Sequence, residues 1–76
     1  MKAAKIDVDT NTFGGRLYEK IIEKFGSRYA FSNATGLSRE SVLLYIKNKR
    51  NPNVVILAEM CKVLDVSADY LLFGKK

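Results

Sequence analysis

Apolar residues first fall into a helical rhythm at Phe13, Leu17, Ile21 and Phe25, with Tyr18 and Ile22 beside them. Steps of four place that stripe on one side of an amphipathic helix, which Gly26 closes. Ser27 caps a short second helix carrying Tyr29, Ala30, Phe31 and Ala34, and Gly36, easily accommodated in a left-handed turn, ends it. Only Leu37 separates this glycine from Ser38, another capping residue, with Glu40 suited to the positive end of a new helix dipole. The third helix runs through Val42, Leu43, Leu44, Tyr45 and Ile46 to Lys47; Asn48 takes the left-handed stop and Pro52 forbids continuation. Asn53 caps a fourth helix, Val54 to Leu64, in which Leu57, Ala58, Cys61 and Leu64 share a face. Ser67 and Asp69 open a fifth, whose apolar turn from Tyr70 to Phe73 stops at Gly74.

The expected fold class is therefore all-α, a compact five-helix domain over residues 13–74. Residues 1–12 mix Lys2, Lys5, Asp7 and Asp9 with little periodicity and are expected to form a flexible arm, and residues 75–76 a basic tail. The pattern contains no repeat and no second domain.

The most informative stretch is Arg28 to Lys47, two short helices joined by Gly36-Leu37-Ser38. So tight a corner brings the helices together steeply, which requires a small residue where they touch and apolar residues along the inner seam. Ser32 supplies the first, and Phe31, Leu37, Val42 and Tyr45 the second. Ser38, Arg39, Glu40, Leu43, Leu44 and Lys47 are left around the outward side of the third helix.

Composition narrows what that side meets. In a chain of 76 residues with one Cys and no His, neither an internal disulfide nor a histidine-based metal site is available, so helix packing must carry stability. A net charge of +5 and a pI near 9.5 favour a polyanionic partner, nucleic acid or membrane surface. No apolar run is long enough to cross a bilayer and no signal peptide is evident, so a cytoplasmic location is expected, in keeping with the lone Cys61. With no His, no cysteine beside a base and no paired carboxylates, neither catalytic residues nor a cofactor are expected, and the chain does not read as an enzyme.

Three signatures, Gly36-Leu37-Ser38-Arg39-Glu40-Ser41-Val42, Tyr45-Ile46-Lys47-Asn48-Lys49-Arg50-Asn51-Pro52 and Leu64-Asp65-Val66-Ser67-Ala68-Asp69-Tyr70-Leu71-Leu72-Phe73-Gly74, stand in this order. Together they resemble the Cro and lambda-repressor type of helix-turn-helix regulators, from about Phe13 to Gly74. The resemblance implies sequence-specific binding of double-stranded DNA without catalysis, usually by a homodimer on a palindromic operator, and most simply a repressor. Carried over to this chain, it places Ser38, Arg39 and Glu40 at base edges, with Leu43, Leu44 and Lys47 on the same face. Arg28 and Asn33 would grip phosphates, as would Lys49 and Arg50, with Asn48 and Asn51 adding hydrogen bonds. The chemistry agrees: Arg39 suits guanine, Glu40 can accept from cytosine, and Leu44 can pack on a thymine methyl. Tyr29 is expected partly exposed nearby, while Met60, Cys61, Phe31, Tyr45 and Tyr70 are expected to pack.

Certain positions depart from the family's pattern. Residues 43 and 44, often polar, are leucines. A common ion pair between the first and third helices is replaced by Ile21 and Ile46, an apolar swap that can be neutral or stabilising. The Gly-Leu usual before the second helix stands as Phe25-Gly26, and Asn48 and Asp65 occupy places where Gly is commoner. The competing reading is a protein-interaction module or antitoxin-type regulator, suggested by Leu43, Leu44 and the apolar stretch Leu71 to Phe73. Dimerisation is expected through the fifth helix or the tail; a protein partner or a C-terminal regulatory domain outside this chain is compatible with the same pattern.

Overall fold

Every predicted helix forms, and each begins on a side chain that accepts a backbone N–H from its first turn. Thr12 caps α1 (Phe13–Phe25), Ser27 caps α2 (Arg28–Thr35), Ser38 caps α3 (Arg39–Ile46), Asn53 caps α4 (Val54–Leu64) and Ser67 caps α5 (Ala68–Phe73). Such a cap contributes about 1 kcal/mol, which matters in helices as short as α5. Left-handed residues close the other ends: Gly26, Gly36 and Gly74, and the two family departures Asn48 at φ 61° and Asp65 at φ 57°. The computed structural model describes residues 8–75. Residues 1–7 of the expected arm and Lys76 of the expected tail lie outside the described residues.

The core draws on all five helices. Leu17 and Ile21 from α1, Phe31 from α2, Val42, Tyr45 and Ile46 from α3, Met60 and Leu64 from α4 and Leu71 from α5 are buried together. Complete burial of a side chain of the Leu or Phe class contributes roughly 1.5–3 kcal/mol, so this cluster dominates stability. Ile21 and Ile46 are both in it, as an apolar replacement for an ion pair requires. α4 differs from expectation at one position: Leu57, Cys61 and Leu64 face the core and Met60 packs there as expected, fully buried, but Ala58 is exposed. Packing against α1, α2 and α5 turns its inner face towards Met60. Burial pushes the Cys61 thiol pKa upward, away from the nucleophilic thiolate.

Three residues at the start of α1 do structural work that periodicity does not reveal. Gly14 and Gly15 are buried, and a Cβ on Gly14 would stand 2.6 Å from the carbonyl oxygen of Tyr45 and closer still to that of Ile46. A Cβ on Gly15 would collide with the carbonyl of Asp9. Arg16, also buried, donates from Nε to the Leu71 carbonyl at 3.0 Å and from its two terminal nitrogens to Thr10 and Leu72, both at 2.9 Å. It thereby supplies donors to carbonyls of α5, which the helix leaves unpaired at its end. The same contacts correct part of the expected arm. Val8 packs on the core, and the Asp9 carbonyl accepts from the Thr12 N–H and hydroxyl, so residues 8–12 are tied to the domain.

Among the described residues no helix is long and apolar enough to cross a membrane. Gly14→Ala should lower stability by about 2–3 kcal/mol in denaturant unfolding, although Ala normally favours a helix; an unchanged midpoint would show that α1 can slide away from α3. Arg16→Met, which keeps the stem and removes the donors, should cost roughly 1–3 kcal/mol in the same assay by leaving buried carbonyls unpaired.

Candidate nucleic-acid interface

The corner between α2 and α3 is closed by short side chains. Gly36, at φ 77°, donates its N–H to the Ser32 carbonyl at 2.9 Å. The buried Ser32 hydroxyl donates to the Leu37 carbonyl, so the small residue at the helix crossing also secures the turn. The Thr35 hydroxyl donates to the Phe31 carbonyl at 2.9 Å and accepts from the Leu37 N–H at 3.3 Å. Phe31, Val42 and Tyr45 fill the inner seam, with Leu37 half-buried beside them. Every backbone group named here has a partner inside the corner, which leaves the outer surface of α3 free to differ without disturbing it.

That surface carries most of the predicted contacts. Ser38, Arg39, Glu40 and Lys47 are exposed, as are Asn33 on α2 and Lys49, Arg50 and Asn51 beyond α3; Arg28, at the start of α2, is half-buried. Arg28 and Arg39 line one groove with Glu40, and Arg50 reaches Ser41 on the first turn of α3. Lys47 and Lys49 lie at the other end of α3 in a groove shared with Asp9, so that five basic side chains stand along the helix against two carboxylates. A face of this sign attracts a phosphate backbone. Leu43 and Leu44 are half-buried rather than fully outward. Leu43 lines an open groove of about 540 Å³ between α1, α2 and α3, together with Tyr18, Ile22, Arg28, Tyr29 and Arg39.

Two polar arrangements bear on individual roles. The Ser38 hydroxyl accepts from the Ser41 N–H at 3.0 Å and donates to the Ser41 hydroxyl at 3.0 Å, while Nη1 of Arg50 donates to that same hydroxyl at 2.9 Å. Arg50 is thereby drawn from its loop across the first turn of α3, a link in which Ser41 had no predicted part. Asn48 is committed elsewhere: its Oδ1 accepts from the Gly14 N–H at 2.8 Å and its Nδ2 donates to the Thr12 hydroxyl at 3.1 Å. The side chain thus straps the end of α3 to the start of α1, and its second Nδ2 hydrogen is what remains for the phosphate contact expected of Asn48. A Gly at this position would make the turn equally well but not the strap, and no local pattern announces a partner 34 residues away.

Arg39 is held from beneath by the ring of Tyr29, 4.3 Å from the guanidinium carbon to the ring centroid. Among the described residues Arg39 has neither an ion pair nor a side-chain hydrogen bond, so its N–H groups are available to a ligand. An amphipathic helix mounted in this way, its amino end outward and cations near both of its ends, can lie in a major groove with phosphates within their reach.

Comparison with known proteins agrees with this geometry. A family model described as helix-turn-helix matches residues 19–71, from the middle of α1 into α5. The crystal structure of the restriction-modification controller protein C.AhdI from Aeromonas hydrophila is similar, with 28% identity over 84% of this chain and 97% of that chain and a TM-score of 0.73. No curated protein matches the chain. The match over most of α1 to α5, on a five-helix fold with a glycine-hinged corner between α2 and α3, shows that the chain belongs to the Cro and lambda-repressor type of helix-turn-helix DNA-binding regulators.

Proposed function

We propose that this regulator acts as a repressor, occupying a palindromic operator as a homodimer with α3 of each subunit in the major groove. The observation that carries the proposal is the exposed, unpaired amino end of α3, where Arg39 and Glu40 stand beside flanking cations. In this reading Arg39 and Glu40 read base edges, Leu44 packs against a thymine methyl, and Lys47 lies further along the same face. Leu43 contributes at the groove's edge rather than at a base. Ser38 supports α3 through its cap, with whatever lone-pair capacity remains turned to DNA. Arg28, Asn33, Lys49, Arg50 and Asn51 position the protein on phosphates. Exposed Leu72 and Phe73 at the end of α5 support self-association through that helix, since exposed apolar side chains there gain from burial. The likeness to a restriction-modification controller supports gene regulation as the use of the contact.

Selection of duplexes from a random pool tests the whole proposal: a motif with two-fold symmetry is expected, and recovery of unrelated sequences would refute specific readout. Arg39→Ala should relax preference at one base pair and cost roughly 1–3 kcal/mol on the selected duplex, whereas Arg50→Ala should weaken all duplexes about equally. Equal losses on every sequence from both changes would overturn the division between reader and clamp. Affinity should also fall steeply with salt, with a log–log slope of about −3.6 per subunit if Arg28, Lys47, Lys49 and Arg50 each neutralise one phosphate. A flat response in a titration from low to physiological salt would point instead to a protein partner.

A further inference from the structure

Tyr29 is 59% exposed, a large ring on the second residue of α2 that contributes nothing to the core. Among the described residues its one aromatic or cation–π contact is with Arg39, whose guanidinium carbon lies 4.3 Å from the ring centroid. A cation–π contact with the ring face spends none of the guanidinium N–H groups on a hydrogen bond, so the donor edge stays available. The edge is the part that bonds to guanine O6 and N7, so the ring and the base do not compete for the same atoms. An arginine free in solvent must give up several rotatable bonds when it docks, and a ring already holding its plane removes part of that loss before binding. Arg39 has no carboxylate partner among the described residues that would hold it instead.

We infer that Tyr29 is a positioning residue for base recognition: it holds the Arg39 guanidinium in the orientation that reads a base pair, without itself touching DNA. The inference rests on the reading of Arg39 as a base contact. It assigns a specificity role to α2, the helix otherwise expected to meet only phosphates. The strength of an exposed cation–π contact corresponds to a two- to fivefold effect on affinity, roughly, and the ring rather than the hydroxyl supplies it.

The test is a set of binding titrations at one salt concentration, using the duplex selected by the wild-type protein, its single-base-pair variants and an unrelated duplex. Tyr29→Leu, Tyr29→Phe, Arg39→Ala and the Tyr29→Leu/Arg39→Ala double variant are compared with wild type. Tyr29→Leu should bind the selected duplex about two- to fivefold more weakly and lose preference at the same base pair as Arg39→Ala. Binding to the unrelated duplex and the thermal midpoint should not change, and Tyr29→Phe should behave as wild type. Adding Tyr29→Leu to Arg39→Ala should have no further effect, because the two residues act through one contact. The inference is overturned if Tyr29→Leu weakens all duplexes equally, or if its effect survives in the absence of Arg39. Should Arg39→Ala alter no base preference, the assignment of Arg39 as a reader fails and takes this inference with it. Loss of preference in Arg39→Ala but not in Tyr29→Leu would sink only the role of the ring.

Discussion

The carbonyl groups of Tyr45 and Ile46, at the end of α3, lie so near the first turn of α1 that only a residue without a Cβ can stand opposite them. Gly14 is that residue, and the close approach it permits determines how α3 sits on the rest of the domain. Asn48 completes the joint by joining its side-chain amide to Gly14 and Thr12. α3 is therefore located by backbone contact at its carboxyl end, not only by the apolar seam it shares with α2. This arrangement leaves the amino end of α3, with Arg39 and Glu40, facing solvent on a supported rod.

Polar groups in the domain divide between joints and surface. Arg16 is spent entirely inside, tying α1 to the end of α5 and to residues 8–12, and Ser32 secures the corner between α2 and α3. Where the family commonly has an ion pair between the first and third helices, Ile21 and Ile46 are buried in the core, which spares the desolvation of two charges. The cations of the α3 face are not used to hold the fold together. Arg50 reaches Ser41, and Arg39 rests on Tyr29, contacts that orient without neutralising. Positive charge consequently remains available to a polyanion.

Helix boundaries were legible because capping chemistry is local. Thr12, Ser27, Ser38, Asn53 and Ser67 each act within three residues of themselves, and Gly26, Gly36, Asn48, Asp65 and Gly74 stop helices by their own backbone conformation. The apolar stripe of α1 and the seam of the corner were legible for the same reason, since helical spacing alone assigns a face. The face of α4 was less so: five apolar residues in a row at its start give no clear stripe, and contacts with three other helices leave Ala58 outside the core that Met60 enters. Two consecutive glycines in the first turn of α1 are themselves a local signal of close approach, because glycine is costly in a helix unless something must come near.

By itself, then, the amino-acid order determined five helices, their limits, the glycine-hinged corner and the cationic, family-like face of α3, all properties set by interactions spanning a few residues. Tertiary structure alone decided that Asn48 holds α1, that Arg16 closes α5 and that Tyr29 lies beneath Arg39. The physical reason is separation: Asn48 and Gly14 are 34 positions apart, and Arg16 and Leu71 are 55. Partners so distant along the chain leave no periodic trace, and only the packing of the helices brings them within hydrogen-bonding reach.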